Sequence, residues 1–567
     1  MTWWVENPGR SSQERLAIEN LAGSADWLQI VGLRLDGAHL CWDADIVTSA
    51  RTYPITLRYP DHFPGSPPLV FPRGVQERWS YHQYGAGGEL CLEFGPDNWH
   101  HDLTGADMLR SAHRLLAGEE QFAVGGPEVG SRHKESLGQQ LRTRSNRMFI
   151  TLGGQEILAS LEEFEMLSGA AVVMYRKGTR TFALARAGEG ETEWKAELPA
   201  AMLASTFSLD TKLIRWPSTI GLPRSEEISA FREEFQRMGI DTSGGECLIV
   251  INGSEVVAFD LALSAGVRRL AVVLEKASTS RLDPDHVALA SRKVAIVGCG
   301  SLGSKIATML ARSGVGQFVL VDDDILLPEN LVRNELDWRD MSMHKVDALA
   351  DKLQYVHATV VCQRYRRSLG GQESGTNIET LIEVLATCDL LIDATADSRA
   401  FNYISSISRL ARRAMIWGEV FGGGFGGFIA RSRPTSEPDP ASMRQSILHW
   451  SNEQGHVVER APGRYEGNKE NPAIADDAEV GVIASHMALL AIDTLLPREP
   501  SSYPCAVYMI GLRAGWVFDQ AFEVRPIDVG PPLEENQSEF SDEDKRTEIE
   551  RVLKLIADHP NANTATS

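Results

Sequence analysis

The run Val294-Ala295-Ile296-Val297-Gly298-Cys299-Gly300-Ser301-Leu302-Gly303 decides the fold of the C-terminal half of the chain. Its first four residues form a short apolar strand pattern, and a helical pattern follows the glycines as far as Arg312. Gly298 and Gly300 permit a tight turn and a close approach of the backbone to phosphate, and the start of the following helix favours an anion. The glycine spacing alone fits a dinucleotide-binding fold, an ATP-binding fold or chance.

A second apolar strand follows this turn, and acidic residues end it. The strand runs from Phe318 to Val321, and Asp322-Asp323-Asp324 come directly after it. An acid at the end of this strand normally accepts hydrogen bonds from ribose hydroxyls. A dehydrogenase still fits this pattern, so the residues after Asp324 must decide between hydride transfer and nucleotidyl transfer.

The segment from Asp322 to Asn334 resembles the D-x-D-x-V-x-x-x-N-L-x-R-Q block of the ThiF/MoeB/ubiquitin-activating (E1) superfamily. Lys345 falls where that family places an ATP-contacting lysine, and Leu390 to Asp397 matches its strand-end D-x-x-D pattern. Adenylation spreads charge over the phosphoryl oxygens of ATP, so cations must be aimed there. The resemblance implies ATP and Mg²⁺ as cofactors, with ribose bound by Asp322 or Asp324 and magnesium positioned by Asp397. It implies catalysis by Arg333 and Lys345. The phosphates would be bound by Gly298, Gly300, Gly303, Asn330, Arg333 and Lys345.

A single cysteine near the N-terminus, Cys91, is the second candidate for chemistry. It lies in Gly87-Gly88-Glu89-Leu90-Cys91-Leu92, between a Pro-rich stretch and Trp99. A lone cysteine in an apolar strand is usually a small buried hydrophobe. The flanking glycines and acidic residues favour a surface loop instead, where a thiolate attacks an acyl group best.

The order of elements around Cys91 resembles the ubiquitin-conjugating (E2) fold over about 110 residues. A helix is predicted at 11–28, followed by three strands, a Pro-rich stretch, Cys91, Trp99 and a helix at 102–116. The matching residues are Tyr59-Pro60, Phe63-Pro64, Pro67-Pro68, Gly88, Cys91-Leu92 and Trp99. The family's His-Pro-Asn triplet, whose Asn supports the oxyanion, is replaced here by Tyr81-His82-Gln83-Tyr84, so Gln83, His100 or His101 is expected to substitute.

The cysteine that ubiquitin-activating members of the E1 family carry after the D-x-x-D strand is missing. No cysteine occurs between Asp389 and Pro504, and the stretch 432–472 is predicted to be a crossover loop that carries Ser442, Ser446 and Ser451. Three routes therefore stay open. Cys505 is the E1 thiol, the adenylate passes straight to Cys91, or a loop hydroxyl takes the acyl group.

Composition and charge bound the remaining possibilities. The net charge of −21 argues against nucleic-acid binding, and seven scattered cysteines without a C-x-x-C pair fit a reducing cytoplasm rather than a disulfide or zinc framework. The first residues lack a signal-peptide pattern, and the apolar stretch 480–496 is broken by His486 and Asp493, so no membrane span is expected.

The sequence predicts an α/β multidomain chain: an α+β E2-like (UBC) domain at 1–122, a linker at 123–147, a middle α/β or α+β domain at 148–285 with a helix near 157–167, a Rossmann-like ThiF/E1 adenylation domain at 286–530, and an acidic tail with a short helix at 531–567.

The whole chain resembles a bacterial E2–E1 fusion of the kind found in antiphage operons such as CBASS systems. That resemblance implies adenylation of the C-terminal carboxylate of a ubiquitin-like protein, or of another protein with a flexible tail, in the manner of the nucleotidyltransferase-conjugating branch. Transfer to Cys91 as a thioester and then to a target lysine would follow, and a homodimer is expected. A MoeB/ThiF-like activator of a sulfur carrier and a non-enzymatic scaffold with degenerate domains are the alternatives.

Overall fold

The computed structural model of the chain describes two compact units. The contacts divide the chain into Met1–Thr143 and Arg144–Ser567. The boundary falls inside the predicted linker, of which residues 136–147 carry a short helix, Leu137–Leu141, and the start of a strand at Asn146. The residues described are 2–74, 78–80, 82–85, 87–123, 127, 129, 136–199, 203, 207–262, 266–276, 282–371, 375–455, 475–496, 498, 500–532 and 542–558.

The first unit is a four-stranded antiparallel meander covered by two longer helices. The helix predicted at 11–28 begins earlier, at Pro8, because Asn7 caps it by accepting the Arg10 N–H and proline suits the first turn. It ends at Ser24, and Leu28 already begins the first strand. Ile18, Leu57 and Leu116 lie in the shared core. The elements are α1 Trp3–Glu6, α2 Pro8–Ser24, β1 Leu28–Asp36, β2 His39–Val47, β3 Thr52–Arg58, β4 Leu69–Pro72, the hairpin β5 Gln83–Tyr84 and β6 Glu89–Leu90, α3 Gly105–Ala123 and α4 Leu137–Leu141.

The second unit begins with a ring of strands rather than with a layered α/β fold. Seven strands close on themselves in the order β8-β9-β7-β14-β13-β12-β11, because β8 pairs with both β9 and β11, and β10 adds to β9. The helix predicted near 157–167 ends at Ser160, and Leu167 instead pairs with Leu213 in the ring. The elements are β7 Asn146–Ile150, α5 Leu152–Ser160, β8 Met166–Arg176, β9 Thr179–Ala187, β10 Trp194–Lys195, β11 Phe207–Trp216, α6 Ile228–Arg237, β12 Cys247–Asn252, β13 Glu255–Asp260 and β14 Arg268–Leu274.

The rest of the second unit is a doubly wound sheet in the order β17-β16-β15-β18-β19-β20-β21-β22. The first five strands are parallel, and the last three run antiparallel to their neighbours. Both faces are covered: Val294 and Ile296 belong to one core cluster, and Ala295 and Val297 to the other. The elements are β15 Lys293–Val297, α7 Ser301–Arg312, β16 Gln317–Val321, α8 Lys345–Val356, β17 Val361–Tyr365, α9 Gly375–Ala386, β18 Leu390–Asp393, α10 Ser398–Ala411, β19 Ala414–Val420, β20 Gly426–Ser432, α11 Pro440–Glu453, α12 Asp477–Leu495, β21 Val507–Gly511, β22 Val524–Ile527 and α13 Asp542–Asp558.

One described helix, α12, is long and apolar enough by length and composition to cross a membrane. It packs inside the doubly wound domain, where Ile483 and Met487 join the core. Asp493 near its C-terminal end is buried and pairs with the fully buried Arg431 at 3.1 Å. These contacts are those of a core helix.

Candidate nucleotide site and candidate thiol site

A cavity of about 350 Å³ opens at the carboxyl ends of β15, β16 and β18. These strands meet where the strand order reverses, between β15 and β18, which is the place where open α/β sheets bind ligands. Five residues predicted to bind nucleotide line this cavity. They are Gly298, Gly300, Asp322, Asp324 and Lys345.

The three glycines of the loop serve different purposes. Gly298 has φ +90°, and a Cβ there would lie 2.9 Å from the Ala394 backbone. A Cβ on Gly303 would lie 1.9 Å from the Gly298 carbonyl oxygen, so Gly303 allows α7 to pack against the turn. A Cβ on Gly300 would meet no atom within 4 Å. Gly300 therefore leaves open the part of the cavity in front of the α7 N-terminus, where a phosphate would sit.

Asp322 and Asp324, two of the three acids after β16, have separate tasks. Asp322 accepts the backbone N–H groups of Cys299 at 2.7 Å and of Asp324 at 2.9 Å, which fixes the glycine loop against the second strand. Burial raises the pKa of Asp322 despite these hydrogen bonds. Asp324 has a side chain that is 54% exposed, and its Oδ2 lies 2.5 Å from Nζ of the buried Lys345. The Lys345 ammonium is thus held in the cavity wall by the half-exposed Asp324 carboxylate.

Two predicted phosphate ligands, Asn330 and Arg333, are not among the residues that line the cavity. The Asn330 side-chain oxygen accepts the Leu327 N–H at 3.0 Å, which shapes the turn before the 3₁₀ segment Pro328–Val332. The Arg333 guanidinium donates to the Ala475 carbonyl at 3.3 Å. Their assignment to phosphate stays a prediction.

Asp397, the predicted magnesium residue, is at the start of α10 and not in the cavity lining. Its carboxylate accepts the Arg399 N–H at 2.7 Å and pairs with the Arg399 guanidinium at 2.8 Å. The hydrogen bond from Arg399 lowers the pKa of Asp397 to about 2. Its partner in the D-x-x-D pattern, Asp393, accepts the Thr395 hydroxyl at 2.7 Å and N–H at 3.0 Å, so Asp393 orders the strand end.

Sequence reasoning missed several residues of the cavity. Arg367 and Ser368, which follow β17, line it, and so does Thr395 beyond β18. Their position just after parallel strands was the available signal, because carboxyl ends of neighbouring strands converge on one edge. The Asn334 amide also donates to the Cys299 carbonyl at 3.2 Å and so supports the glycine loop from outside.

Cys91 follows the second strand of the β5–β6 hairpin. Leu90 and Leu92 on either side of it are buried in the core of the first unit, whereas Cys91 is only half-buried. Alternate residues of an extended chain point to opposite faces, so the Cys91 side chain points away from that core. The Cys91 N–H donates to the His82 carbonyl at 2.7 Å and continues the hairpin ladder.

Gln83, one of the predicted substitutes for the oxyanion-supporting Asn, lies on the inner face of this hairpin. It is buried, its side-chain oxygen accepts the N–H of Ser80 at 3.0 Å, and its NH₂ group donates to the Gly88 carbonyl at 2.9 Å. Gln83 therefore holds the loop that carries Cys91 and faces away from the thiol. His100 and His101, the other two predicted substitutes, are exposed and lie beside Asp102.

The remaining candidates for an acyl acceptor lie in the second unit. Cys505 is half-buried in a bend before β21, and its N–H donates to the Tyr508 hydroxyl at 2.9 Å. The stretch predicted as a crossover loop at 432–472 contains the helix α11 instead, because Asp439 caps it and Pro440 occupies its first turn. Ser442, Ser446 and Ser451 are therefore helical, and residues 456–472 lie outside the described part of the chain.

The doubly wound sheet, the glycine loop at its switch point and the acid after β16 define a mononucleotide-binding domain of the Rossmann type. Residues 279–509 match the ThiF family model, and this confirms the prediction of an E1-like, ThiF-type domain in the C-terminal half.

Three curated proteins are examples of the similarity. The uncharacterized protein y4oA of Sinorhizobium fredii is 31% identical over 181 residues, which cover 30% of each chain. The ATP-dependent ubiquitin transferase-like protein Cap2 of Pseudomonas aeruginosa is 32% identical over 118 residues, or 20% of each chain. The adenylyltransferase and sulfurtransferase MOCS3 of Bos taurus is 30% identical over 129 residues, covering 23% of this chain and 27% of MOCS3. The matches thus span less than a third of these relatives' own lengths.

Proposed function

We propose that this chain uses ATP to adenylate the C-terminal carboxylate of a partner protein, takes the acyl group onto Cys91 as a thioester, and passes it to a target lysine. The observation that carries the first half is the switch-point cavity, whose lining contains both Gly300 and Lys345. The ThiF family match and the similarity to Cap2, a ubiquitin transferase-like protein, support the same class of reaction.

The cavity offers polar groups of both kinds that ATP needs. The free N–H groups at the start of α7 and the Lys345 ammonium favour phosphate oxygens, and Asp324 offers a carboxylate to ribose hydroxyls. Arg367 adds a second cation to the lining. An adenine nucleotide thus meets cations where its phosphates lie and an acceptor where its sugar lies.

In the adenylation step, a carboxylate oxygen of the partner bonds to the α-phosphorus of ATP while the bond from that phosphorus to the pyrophosphate oxygen breaks. Negative charge on the leaving pyrophosphate increases, and Lys345 is the buried cation available to stabilise it. Mg²⁺ would supply further charge neutralisation when bound. Asp397, which the family pattern assigns to the metal, lies outside the cavity lining and pairs with Arg399. The fixed N–H groups of α7 need no reorganisation during the step.

The second half of the proposal assigns the first unit as an E2-like domain. Its order of helix, four-stranded meander, cysteine hairpin and helix supports that assignment, as does the outward position of Cys91. The Cys91 thiolate attacks the acyl carbonyl, a carbon–sulfur bond forms, and AMP leaves. Cys505 is the alternative first acceptor, and direct transfer to Cys91 is the simpler route.

The partner is proposed to be a ubiquitin-like protein or another protein with a free, flexible C-terminal tail, modified in the cytoplasm as part of antiphage defence. The enzyme is proposed to act as a homodimer, because E1-type enzymes pair two adenylation folds and the described part of this chain contains one doubly wound sheet.

The adenylation step is tested by ATP–[³²P]pyrophosphate exchange with purified full-length chain and the small protein encoded beside it. We expect exchange that depends on the partner and disappears when the partner's terminal carboxylate is amidated. Exchange at the same rate with the amidated partner would refute adenylation of that carboxylate. No exchange with any neighbouring small protein, together with no ATP binding, would favour the scaffold alternative.

A second candidate is activation of a sulfur carrier. The similarity to MOCS3, an adenylyltransferase and sulfurtransferase, favours it, and so does the lack of a cysteine between Asp389 and Pro504. This candidate predicts AMP formation without a protein conjugate. It also predicts that Cys91→Ala leaves AMP formation unchanged over many turnovers.

A further inference from the structure

The outer face of the β5–β6 hairpin gathers a small set of polar side chains around Cys91. The ladder pairs Gln83 with Leu90 and Tyr84 with Glu89. Gln83 and Leu90 are buried, so the alternate residues His82, Tyr84, Glu89 and Cys91 share the opposite face. Cys91 is diagonal to Tyr84, a spacing that aromatic side chains span.

The Tyr84 hydroxyl donates a hydrogen bond to the Glu89 carboxylate. Tyr84 is 51% exposed, and the register places the pair on the same hairpin face as Cys91. Burial and the Glu89 contact, with a smaller contribution from the charge of Cys91, raise the pKa of Tyr84, so its phenol keeps its proton at neutral pH. Burial raises the pKa of Glu89, which makes its carboxylate a stronger base.

Three other titratable groups of the described residues lie near this hairpin, and one of them, Arg78, donates to the Gln83 carbonyl at 2.8 Å. His82, opposite Cys91 in the ladder, has its ring Nε2 at 2.9 Å from the Val129 carbonyl and at 3.7 Å from Glu119 of α3. Glu119 also accepts the Ser80 hydroxyl at 2.8 Å. The Tyr84–Glu89 pair therefore faces outward, whereas His82 and Glu119 join the hairpin to the helix.

We propose that Tyr84 and Glu89 are the catalytic pair of the Cys91 site, with Tyr84 as the oxyanion donor and Glu89 as the base for the attacking amine. This inference rests on the proposed conjugation function. It places the oxyanion donor on a residue that the sequence pattern did not single out, and it removes Gln83 from that role.

Tyr84 and Glu89 account for the charge and the proton in the transfer of the acyl group from Cys91 to lysine. The lysine nitrogen attacks the thioester carbonyl, and the Tyr84 hydroxyl turns from Glu89 to the oxygen that becomes negative. Glu89 takes the proton that the nitrogen loses as the carbon–nitrogen bond forms. The carbon–sulfur bond then breaks, and the electron pair leaves with the Cys91 thiolate.

A test that needs no partner protein loads Cys91 chemically. Full-length Cys505→Ala protein is acylated from the glycylglycine thioester of mercaptoethanesulfonate, peptide mapping verifies the loaded site, and discharge to free lysine is followed by intact mass. The glycylglycine thioester of N-acetylcysteine gives the uncatalysed rate. We expect Glu89→Gln to slow discharge about 10²-fold. We expect Tyr84→Phe to slow it by a similar factor, about 10²-fold, as loss of one oxyanion donor does elsewhere.

The pH profile separates catalysis from a structural role. The ratio of wild-type to Glu89→Gln rates should shrink as the pH falls through the raised pKa of Glu89, and Glu89→Asp should restore part of the rate. Tyr175→Phe, an exposed tyrosine of the strand ring, is the matched control and should not change discharge. Folding of each variant is checked by thermal unfolding.

Two results would overturn the inference. Discharge of Glu89→Gln and Tyr84→Phe at the wild-type rate, with wild type faster than N-acetylcysteine thioester, would remove the pair and leave the role of Cys91 intact. Wild-type discharge no faster than that of the N-acetylcysteine thioester would remove both the Tyr84–Glu89 pair and the catalytic role of Cys91. Pyrophosphate exchange reports on the separate adenylation site and would not change in either case.

Discussion

The nucleotide cavity and the Cys91 hairpin are the two candidate sites of this chain, and they are built differently. The cavity lies at the carboxyl ends of β15, β16 and β18, and Gly298 and Gly300 of the glycine loop contribute backbone to its lining. The hairpin has strands of two residues each, and its polar face depends on which side chains point outward. A site made of backbone groups can be predicted from the spacing of glycines in the sequence. A site made of side chains also depends on the strand register, which decides which residues point outward.

The largest effect should come from the glycines, and it tests the backbone half of this contrast. Gly303→Ala places a Cβ 1.9 Å from the Gly298 carbonyl oxygen, so we expect lost ATP binding and a free energy of unfolding lower by about 1–3 kcal/mol. Gly300→Ala meets no atom within 4 Å, so the fold should persist while ATP affinity falls about tenfold, or 1.4 kcal/mol. Calorimetry of ATP binding with thermal unfolding measures both. Equal losses of stability in the two variants would contradict the assigned roles.

Lys345 gives the next largest effect. Lys345→Met should lower the rate of pyrophosphate exchange about 10²- to 10³-fold, because the buried cation near the phosphates is lost. Lys352→Met is the control on the same helix, since its ammonium pairs with Glu335 at 3.2 Å outside the cavity lining. If both variants lose exchange equally, α8 acts structurally and Lys345 has no special role.

Asp397 should show a metal dependence without a pH dependence. Asp397→Asn should raise the Mg²⁺ concentration for half-maximal AMP formation about tenfold. Because Arg399 holds the pKa of Asp397 at about 2, its carboxylate is ionised throughout pH 5.5–8. Its contribution to stability is present above the ordinary pKa of 3.8 and is lost only as the pH falls through about 2. Magnesium titrations at pH 5.5 and 8 that differ in wild type but coincide in Asp397→Asn would show that this carboxylate titrates in that range.

The smallest effect is expected at the exposed histidines. His101→Ala should change thioester discharge from Cys91 by less than about twofold, as surface substitutions usually do. The side chain of His101 is 87% exposed and lies beside Asp102. A tenfold lower discharge rate of His101→Ala would instead assign the oxyanion role to His101, in the segment after Trp99.

The two sites also show how far the sequence alone could reach. The glycine loop and the acids after β16 were predictable, because each follows an apolar run whose strand end fixes its place. Lys345, which begins α8, was predicted only from the resemblance to the E1 family. Arg367 was missed because β17 was not predicted as a strand of this sheet, and only its place after a parallel strand brings it to the cavity. Gln83 was expected to replace the oxyanion-supporting Asn, but the register of the hairpin turns it inward and Tyr84 outward. The ring of seven strands was also missed, because closure depends on β8 pairing with both β9 and β11 over long sequence separations.

The central claim is that one chain activates a carboxylate and captures it on Cys91. The most direct test is a non-reducing gel of full-length protein with ATP, Mg²⁺ and the small protein encoded beside it, comparing wild type with Cys91→Ala and Cys505→Ala. The account predicts a thiol-sensitive adduct in wild type and Cys505→Ala that is absent in Cys91→Ala. An adduct that persists in Cys91→Ala, or AMP formation without any adduct in wild type, would contradict it.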